Sequence, residues 1–126
     1  MSDRVPAIKV LLLPKDTNAL GTIFGGVILS EVDLAAAIEA HRYHPDKIVT
    51  IAMDQIEFRQ PVFVGDLVSF FTNTLRVGHT SITVSVSVWA QRARDRSQTI
   101  HVTEAKVTMV AVDDQLRPTP IARRPA

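Results

Sequence analysis

Between Ser81 and Gln91 apolar and polar residues alternate: Ile82, Val84, Val86, Val88 and Ala90 interleave with Ser81, Thr83, Ser85, Ser87 and Trp89. Successive strand side chains point to opposite faces, so this period of two predicts a strand with one buried and one more polar face. Three more stretches read as long strands. They are Ile48–Phe58, where Val49, Ile51 and Met53 alternate with polar or small residues, then Leu67–Val77, and finally 99–112. Pro61 breaks the pattern after the first, Val64-Gly65-Asp66 reads as a turn, and 92–97 as a charged hairpin loop. A short apolar run at 10–13, closed by Pro14, is a first strand or the approach to one. The tail from Asp113 carries Pro118, Pro120 and Pro125 and is expected to be irregular.

The periodicity changes over residues 25–43. Val27, Ile28, Leu29, Val32, Leu34, Ala35, Ala36, Ala37 and Ile38 cover nearly every direction around a helix. A loop at 15–24, holding Asp16, Asn18 and Gly21, precedes it, and His44-Pro45-Asp46 stops it. One helix followed by four long strands is an α+β layout. A helix apolar all round is buried on most sides only if a curved antiparallel sheet wraps it or a partner subunit covers the rest. The pattern therefore favours an oligomer. Asp33 is out of place in this helix, because a carboxylate is costly to bury unless paired, hydrogen-bonded or functional. Glu31, two residues away, does not share its face, so the two do not form a paired-carboxylate site.

Composition narrows the classes. The 126 residues are 46% hydrophobic and 21% charged, which fits a single domain over 1–126 with its core at about 10–120. A net charge of +1 gives no nucleic-acid surface. The absence of cysteine excludes disulfides and thiol catalysis and fits a reducing cytosol. No apolar run approaches the roughly 20 residues a membrane span needs, and the opening MSDRVPAIK has no stretch of signal-peptide type. A cytoplasmic protein without a membrane partner is expected. His41, His44, His79 and His101 show no ligand spacing, so no metal is predicted.

Several motifs occur in a fixed order. Asp16-Thr17-Asn18-Ala19-Leu20-Gly21 is followed by Ile23-Phe24-Gly25-Gly26, by Asp33 with 35–38, and by 50–54. Phe58 with Pro61-Val62, Val64-Gly65-Asp66-Leu67-Val68, and Arg76-Val77-Gly78-His79-Thr80-Ser81 come next. Val88-Trp89, Thr103-Glu104-Ala105, and 110–113 with Pro118 and Pro120 complete the series. Together they closely resemble the hotdog-fold acyl-CoA thioesterases, in particular the YciA-like bacterial group, over nearly the whole chain. The resemblance implies a hotdog fold: one long central helix wrapped by a curved antiparallel sheet. It further implies a homo-oligomer built on a dimer unit, often a hexamer made as a trimer of dimers. It implies hydrolysis of acyl-CoA thioesters at the dimer interface, with coenzyme A as part of substrate and product and no separate cofactor. Carried over by position, Asp33 is the catalytic carboxylate, Asn18 its partner from the other protomer, and backbone near Gly25 and Gly26 the oxyanion site. Two departures are Glu31, where relatives often carry an uncharged residue, and the basic hairpin 92–98.

The residues support this chemistry independently. A helix N-terminus offers oriented N–H groups and a positive dipole end, and Gly25 and Gly26 leave that backbone open to a carbonyl. Asp33 lies seven residues beyond Gly26, or roughly 10 Å along the axis. It is therefore aimed at a thioester held by a facing subunit, as base or as nucleophile. Asn18 can orient water or carbonyl through its amide, although alone it reads as a turn residue. For coenzyme A, the turn with Arg76, Gly78, Thr80 and Ser81 offers N–H groups, hydroxyls and a charge. The resemblance places the coenzyme near it, with Arg59 and Arg92 as candidate phosphate partners. A non-catalytic acyl-CoA- or lipid-binding hotdog module is the alternative. A hydratase would call for a His–carboxylate pair, and residues 18–33 contain no His.

Overall fold

The computed structural model describes residues 4–125; residues 1–3 and 126 of the expected domain, including the start of the N-terminal segment, lie outside the described residues. The elements are β1 (Ile8–Leu11), a 3-10 turn (Pro14–Asp16), α1 (Gly25–Ala40), β2 (Ile48–Phe58), β3 (Leu67–Val77), β4 (Ser81–Gln91) and β5 (Thr99–Ala111). The strands form one antiparallel sheet in the order β1-β3-β4-β5-β2, and α1 lies against β3, β4 and β5. This is the α+β arrangement expected from the pattern. None of the described helices is long and apolar enough to cross a membrane.

The central strand β4 shows why the sheet holds. Ile82, Val84, Val86, Val88 and Ala90 are fully buried beneath α1, as the alternation requires. They meet Val68 and Phe70 of β3, Val107 and Met109 of β5, and Ile28, Val32, Ala35 and Ala36 of the helix. Small residues on that helix face let it sit close to the sheet.

Two elements differ from expectation in their bounds, each through long-range contacts. The helix closes at Ala40 with His41 as its cap, not at 43. Beyond it, Tyr43 accepts an N–H from Arg123 (2.7 Å) and the His44 imidazole accepts one from Ala122 (3.2 Å), so the tail turns the chain aside. The first strand runs over Ile8–Leu11, because Leu12 turns inward and exchanges backbone bonds with Gly65 and Asp66. The tail is irregular but anchored: Thr119 donates to Ala111, Ile121 donates to His79, and Ile121 is buried.

The helix is not wrapped on most sides within one protomer. Leu34 and Ile38 are 56% and 50% exposed, and on β2 Ile51 and Phe58 are 60% and 53% exposed. β2 has only β5 as a neighbour and is a sheet edge. The uncovered helix stripe and this edge form one apolar surface of the kind that marks an interface.

Candidate active site

The buried carboxylate of the helix is Glu39, not Asp33. Glu39 is 9% exposed, accepts hydrogen bonds from Thr74 Oγ1 (2.5 Å) and Thr72 Oγ1 (3.4 Å), and is paired with Arg42 at 3.0 Å. It fastens the end of α1 to β3. Asp33 is half-buried in the protomer and has one side-chain partner among the described residues: Thr50 Oγ1 of β2 donates to its Oδ1 at 2.6 Å. That bond fixes the carboxylate and leaves Oδ2 without a hydrogen-bond partner among the described residues. A register shift in the β2–β5 ladder directly follows Thr50, the kind of bulge that re-aims strand side chains near functional sites. Thr50 was missed in the sequence because a β-branched residue in a strand carries no mark of a polar task.

Asn18 organises its own loop. Its Oδ1 accepts the N–H groups of Leu20 (2.8 Å) and Thr22 (3.3 Å), and its Nδ2 donates to Thr22 Oγ1 (2.9 Å). Gly21, at φ +85°, takes the left-handed conformation the turn needs. One N–H of the Asn18 amide stays free of that Thr22 bond. The turn reading of Asn18 holds, and this remaining donor is what it can offer a substrate.

The helix opens at Gly25 without a side-chain cap, since Phe24 occupies the cap position. The first N–H groups of an uncapped helix are donors awaiting a partner. A Cβ on Gly26 would stand 2.8 Å from Cε1 of Phe24, whose ring folds over it. Gly25 borders a cleft of about 290 Å³ with apolar walls from Ile23, Ile28, Phe58 and Val62 and with Arg59 and Gln60 at its lip. Arg59 is also paired with Glu57 at 3.3 Å.

The coenzyme candidates separate. Gly78 N–H is not open to a ligand as expected; it donates to Ser81 O at 2.7 Å, and a Cβ there would press on Ser81 Oγ at 2.8 Å. The carbonyls of His79 and Thr80 are bound by Ile121 and Ala111. The side chains of Arg76, Thr80 and Ser81 are what this turn presents. Arg92 is largely buried, forms an ion pair with the fully buried Asp66 and donates to Pro61 O (3.0 Å). Its guanidinium lies 4.8 Å from the centre of the Phe63 ring. It braces the 61–66 loop, a role the sequence hid because its partner is 26 residues away.

The ladder registers sort these groups into two sets. Thr50 pairs with Met109, which pairs with Ile82, so Asp33 and Thr50 share one end of the sheet with the 76–81 turn. Phe58 pairs with Thr103, which pairs with Val88, so the helix start, Arg59 and Arg92 lie towards the other. Asp33 and Gly26 are seven residues apart on α1, roughly 10 Å along its axis. A single protomer does not bring Asp33 to the Gly25 cleft.

Residues 20–97 match the model of the thioesterase superfamily. The chain belongs to that superfamily. A thioesterase-superfamily relative, the acyl-CoA thioester hydrolase YciA of Salmonella typhimurium, is 35% identical over 116 residues, covering 90% of this chain and 87% of its own. The hexameric hotdog fold thioesterase of Campylobacter jejuni is 46% identical and superposes with a TM-score of 0.87 over 92% of this chain and 89% of that one. A hexameric broad specificity acyl-coenzyme A thioesterase is 37% identical, with a TM-score of 0.89 over 98% of this chain and 85% of that one. The fold of this thioesterase-superfamily chain is the hotdog fold, as the motifs implied.

Proposed function

We propose that this protein hydrolyses acyl-CoA thioesters to a carboxylic acid and coenzyme A at a site shared by two subunits of a homo-oligomer. The observation that carries the reading is the division of the site into two halves that one protomer keeps apart, with Gly26 and Asp33 seven residues apart on α1. Asp33 and Thr50 form one half. The Asn18 loop, the uncapped helix start at Gly25-Gly26 and the apolar cleft form the other. A two-fold axis that pairs the β2 edges antiparallel superimposes the first half of one subunit on the second half of its partner and covers Leu34, Ile38, Ile51 and Phe58. Relatives that are acyl-CoA thioester hydrolases and hexamers support the substrate and the hexamer; the trimer of dimers is what the family resemblance implies.

The acyl chain enters the cleft beside Ile28 and Val62, and its carbonyl oxygen accepts the helix-start N–H groups, whose donors are fixed before the charge develops. Asp33 of the partner, held by Thr50, acts on the carbonyl carbon either directly or through water, and Asn18 orients the attacking or leaving group. Arg59 at the cleft lip and the partner's turn, through Arg76, Thr80 and Ser81, receive the polar parts of coenzyme A. Arg92 serves as a brace rather than a phosphate contact.

A thiol-release assay across acyl chain lengths tests the reading, using Asp33→Ala and Asn18→Ala chains alone and as hybrids. Each variant alone is expected to be inactive. Equal mixtures refolded together are expected to recover about a quarter of wild-type activity, since half the dimers are hybrid and each hybrid has one intact site. Tight acyl-CoA binding without thiol release from the wild type would favour the binding-module reading. Full activity of Asp33→Ala would overturn the mechanism.

A further inference from the structure

On the sheet face turned away from α1, Arg4, Lys9, Phe71, Trp89 and Gln91 border a depression of about 320 Å³, within the roughly 300–1,000 Å³ range of small-molecule sites. Its aromatic floor is immobilised. Trp89 Nε1 donates to Ser87 Oγ at 2.8 Å, and the indole stacks on His101 at 4.4 Å with 13° between planes. Ser87 donates to Glu104 Oε1 (3.2 Å), and the same carboxylate oxygen lies 3.1 Å from His101 Nε2.

Ser87, His101 and Glu104 are not a nucleophilic triad. Hydroxyl and carboxylate approach the same ring nitrogen, whereas a relay needs one on each nitrogen. Their effect is to hold an indole plane in place. Arg4 is held too: its guanidinium lies 5.2 Å from the centre of the Phe71 ring and donates to Thr72 O at 2.9 Å. Lys9 stands opposite Ser69 on β1. The described residues lining the depression include these two cations and no carboxylate. The β4–β5 register shifts between Val88 and Trp89, which makes Val102 an extra residue. Its carbonyl accepts the N–H groups of Arg59 (2.8 Å) and Gln60 (3.4 Å), the lip of the helix-start cleft.

We propose that this depression is a second ligand site, for a planar-ring anion of the nucleoside-phosphate type. The ring lies on Trp89, and the phosphate is held by Arg4 and Lys9. The site is separated from the acyl cleft by the sheet itself and joined to the cleft lip through the Val102 carbonyl. The occupant is a free purine nucleotide, since Arg59 and the turn with Arg76, Thr80 and Ser81 receive the polar parts of coenzyme A.

Trp89 is the sole tryptophan, so its emission reports occupancy. Titration of the full chain with AMP is expected to change that emission saturably. Adenosine alone and inorganic phosphate alone are each expected to bind at least tenfold more weakly. In the Arg4→Glu/Lys9→Glu double variant, both changes being on the surface, Kd for AMP should rise by about tenfold or more, the loss of a single charge-assisted contact. A saturable response to coenzyme A but not to AMP is binding at the acyl cleft and overturns the second site. The proposal is overturned if neither nucleotide at millimolar concentration changes Trp89 emission or gives heat in calorimetry. It is equally overturned if the double variant binds AMP with unchanged Kd.

Discussion

Replacing Thr50 with Val isolates the bond that holds the candidate catalytic carboxylate. Valine matches threonine in shape, and Thr50 is exposed in the protomer, so the change removes a hydroxyl without opening a core cavity. The bond lost is the 2.6 Å donation from Oγ1 to Asp33 Oδ1. Hydrogen bonds to charged groups contribute about 1.5–3 kcal/mol. If that orientation is needed only as the carbonyl is attacked, the loss falls on kcat. At 1.36 kcal/mol per factor of ten, kcat should drop by about 10- to 150-fold while KM changes little. The assay is steady-state thiol release over a range of acyl-CoA concentrations, with the oligomeric state checked by sedimentation. Thr50→Ser keeps the donor and should restore most of the rate. A Thr50→Val enzyme within twofold of wild-type kcat, in an intact oligomer, refutes the positioning role. So does a Thr50→Ser enzyme as slow as Thr50→Val.

Arg92→Ala leaves Asp66 buried without its cation and should cost about 3–5 kcal/mol of stability by denaturant titration, with little change in KM for enzyme that remains folded; a raised KM at unchanged stability would make Arg92 a phosphate contact instead. Leu34→Lys with Ile38→Lys places two charges on the uncovered helix stripe and should shift the sedimentation coefficient towards monomer and abolish thiol release, whereas an intact oligomer would show that another face assembles. Asp16, Asp46, Asp95 and Asp113 are each held below the ordinary carboxylate value of 3.8, mainly by hydrogen bonds from Leu13, Lys47, Ser97 and Arg117 respectively. A depressed native pKa gives stability that is present above the unfolded value and lost as pH falls through the native one. Thermal melts should therefore show this contribution fading only below about pH 4, and a loss centred near pH 6 would rule these four carboxylates out as its source.

How much of this was legible depended on the range of the contacts involved. The ends of β2, β3 and β4 were read correctly because local punctuation marks them: Lys47 and Pro61, Asp66 and Gly78, Thr80 and Arg92. The end of α1 was not, because Ala122 and Arg123, some 80 residues away in sequence, decide it. The apolar run at 10–13 misled the reading of β1, since hydrophobicity reports the burial of Leu12 and not its strand geometry. The apolar helix singled out Asp33 as a candidate, but the burial argument described Glu39 better. In the proposed dimer the wall missing beside the half-exposed Asp33 belongs to the partner. The fold placed Thr50 beside it through a pairing that no local pattern announces.

The sheet order β1-β3-β4-β5-β2 also sets a schedule for folding. Chains are made from the N-terminus, so β2 leaves the ribosome before its only strand partner in the protomer, β5, exists; the residues from 59 to 98 come between. During that interval Val49, Ile51, Ile56 and Phe58 ride on an unpaired strand, a hazard for edge-to-edge aggregation. Closing β2 onto β5 is a non-local step of the kind that slows folding. A strand that must wait for a distant partner within its own chain is also the edge proposed to pair between subunits. Nascent chains made side by side would then be prone to join through β2 early, so assembly and folding of this protein share one strand.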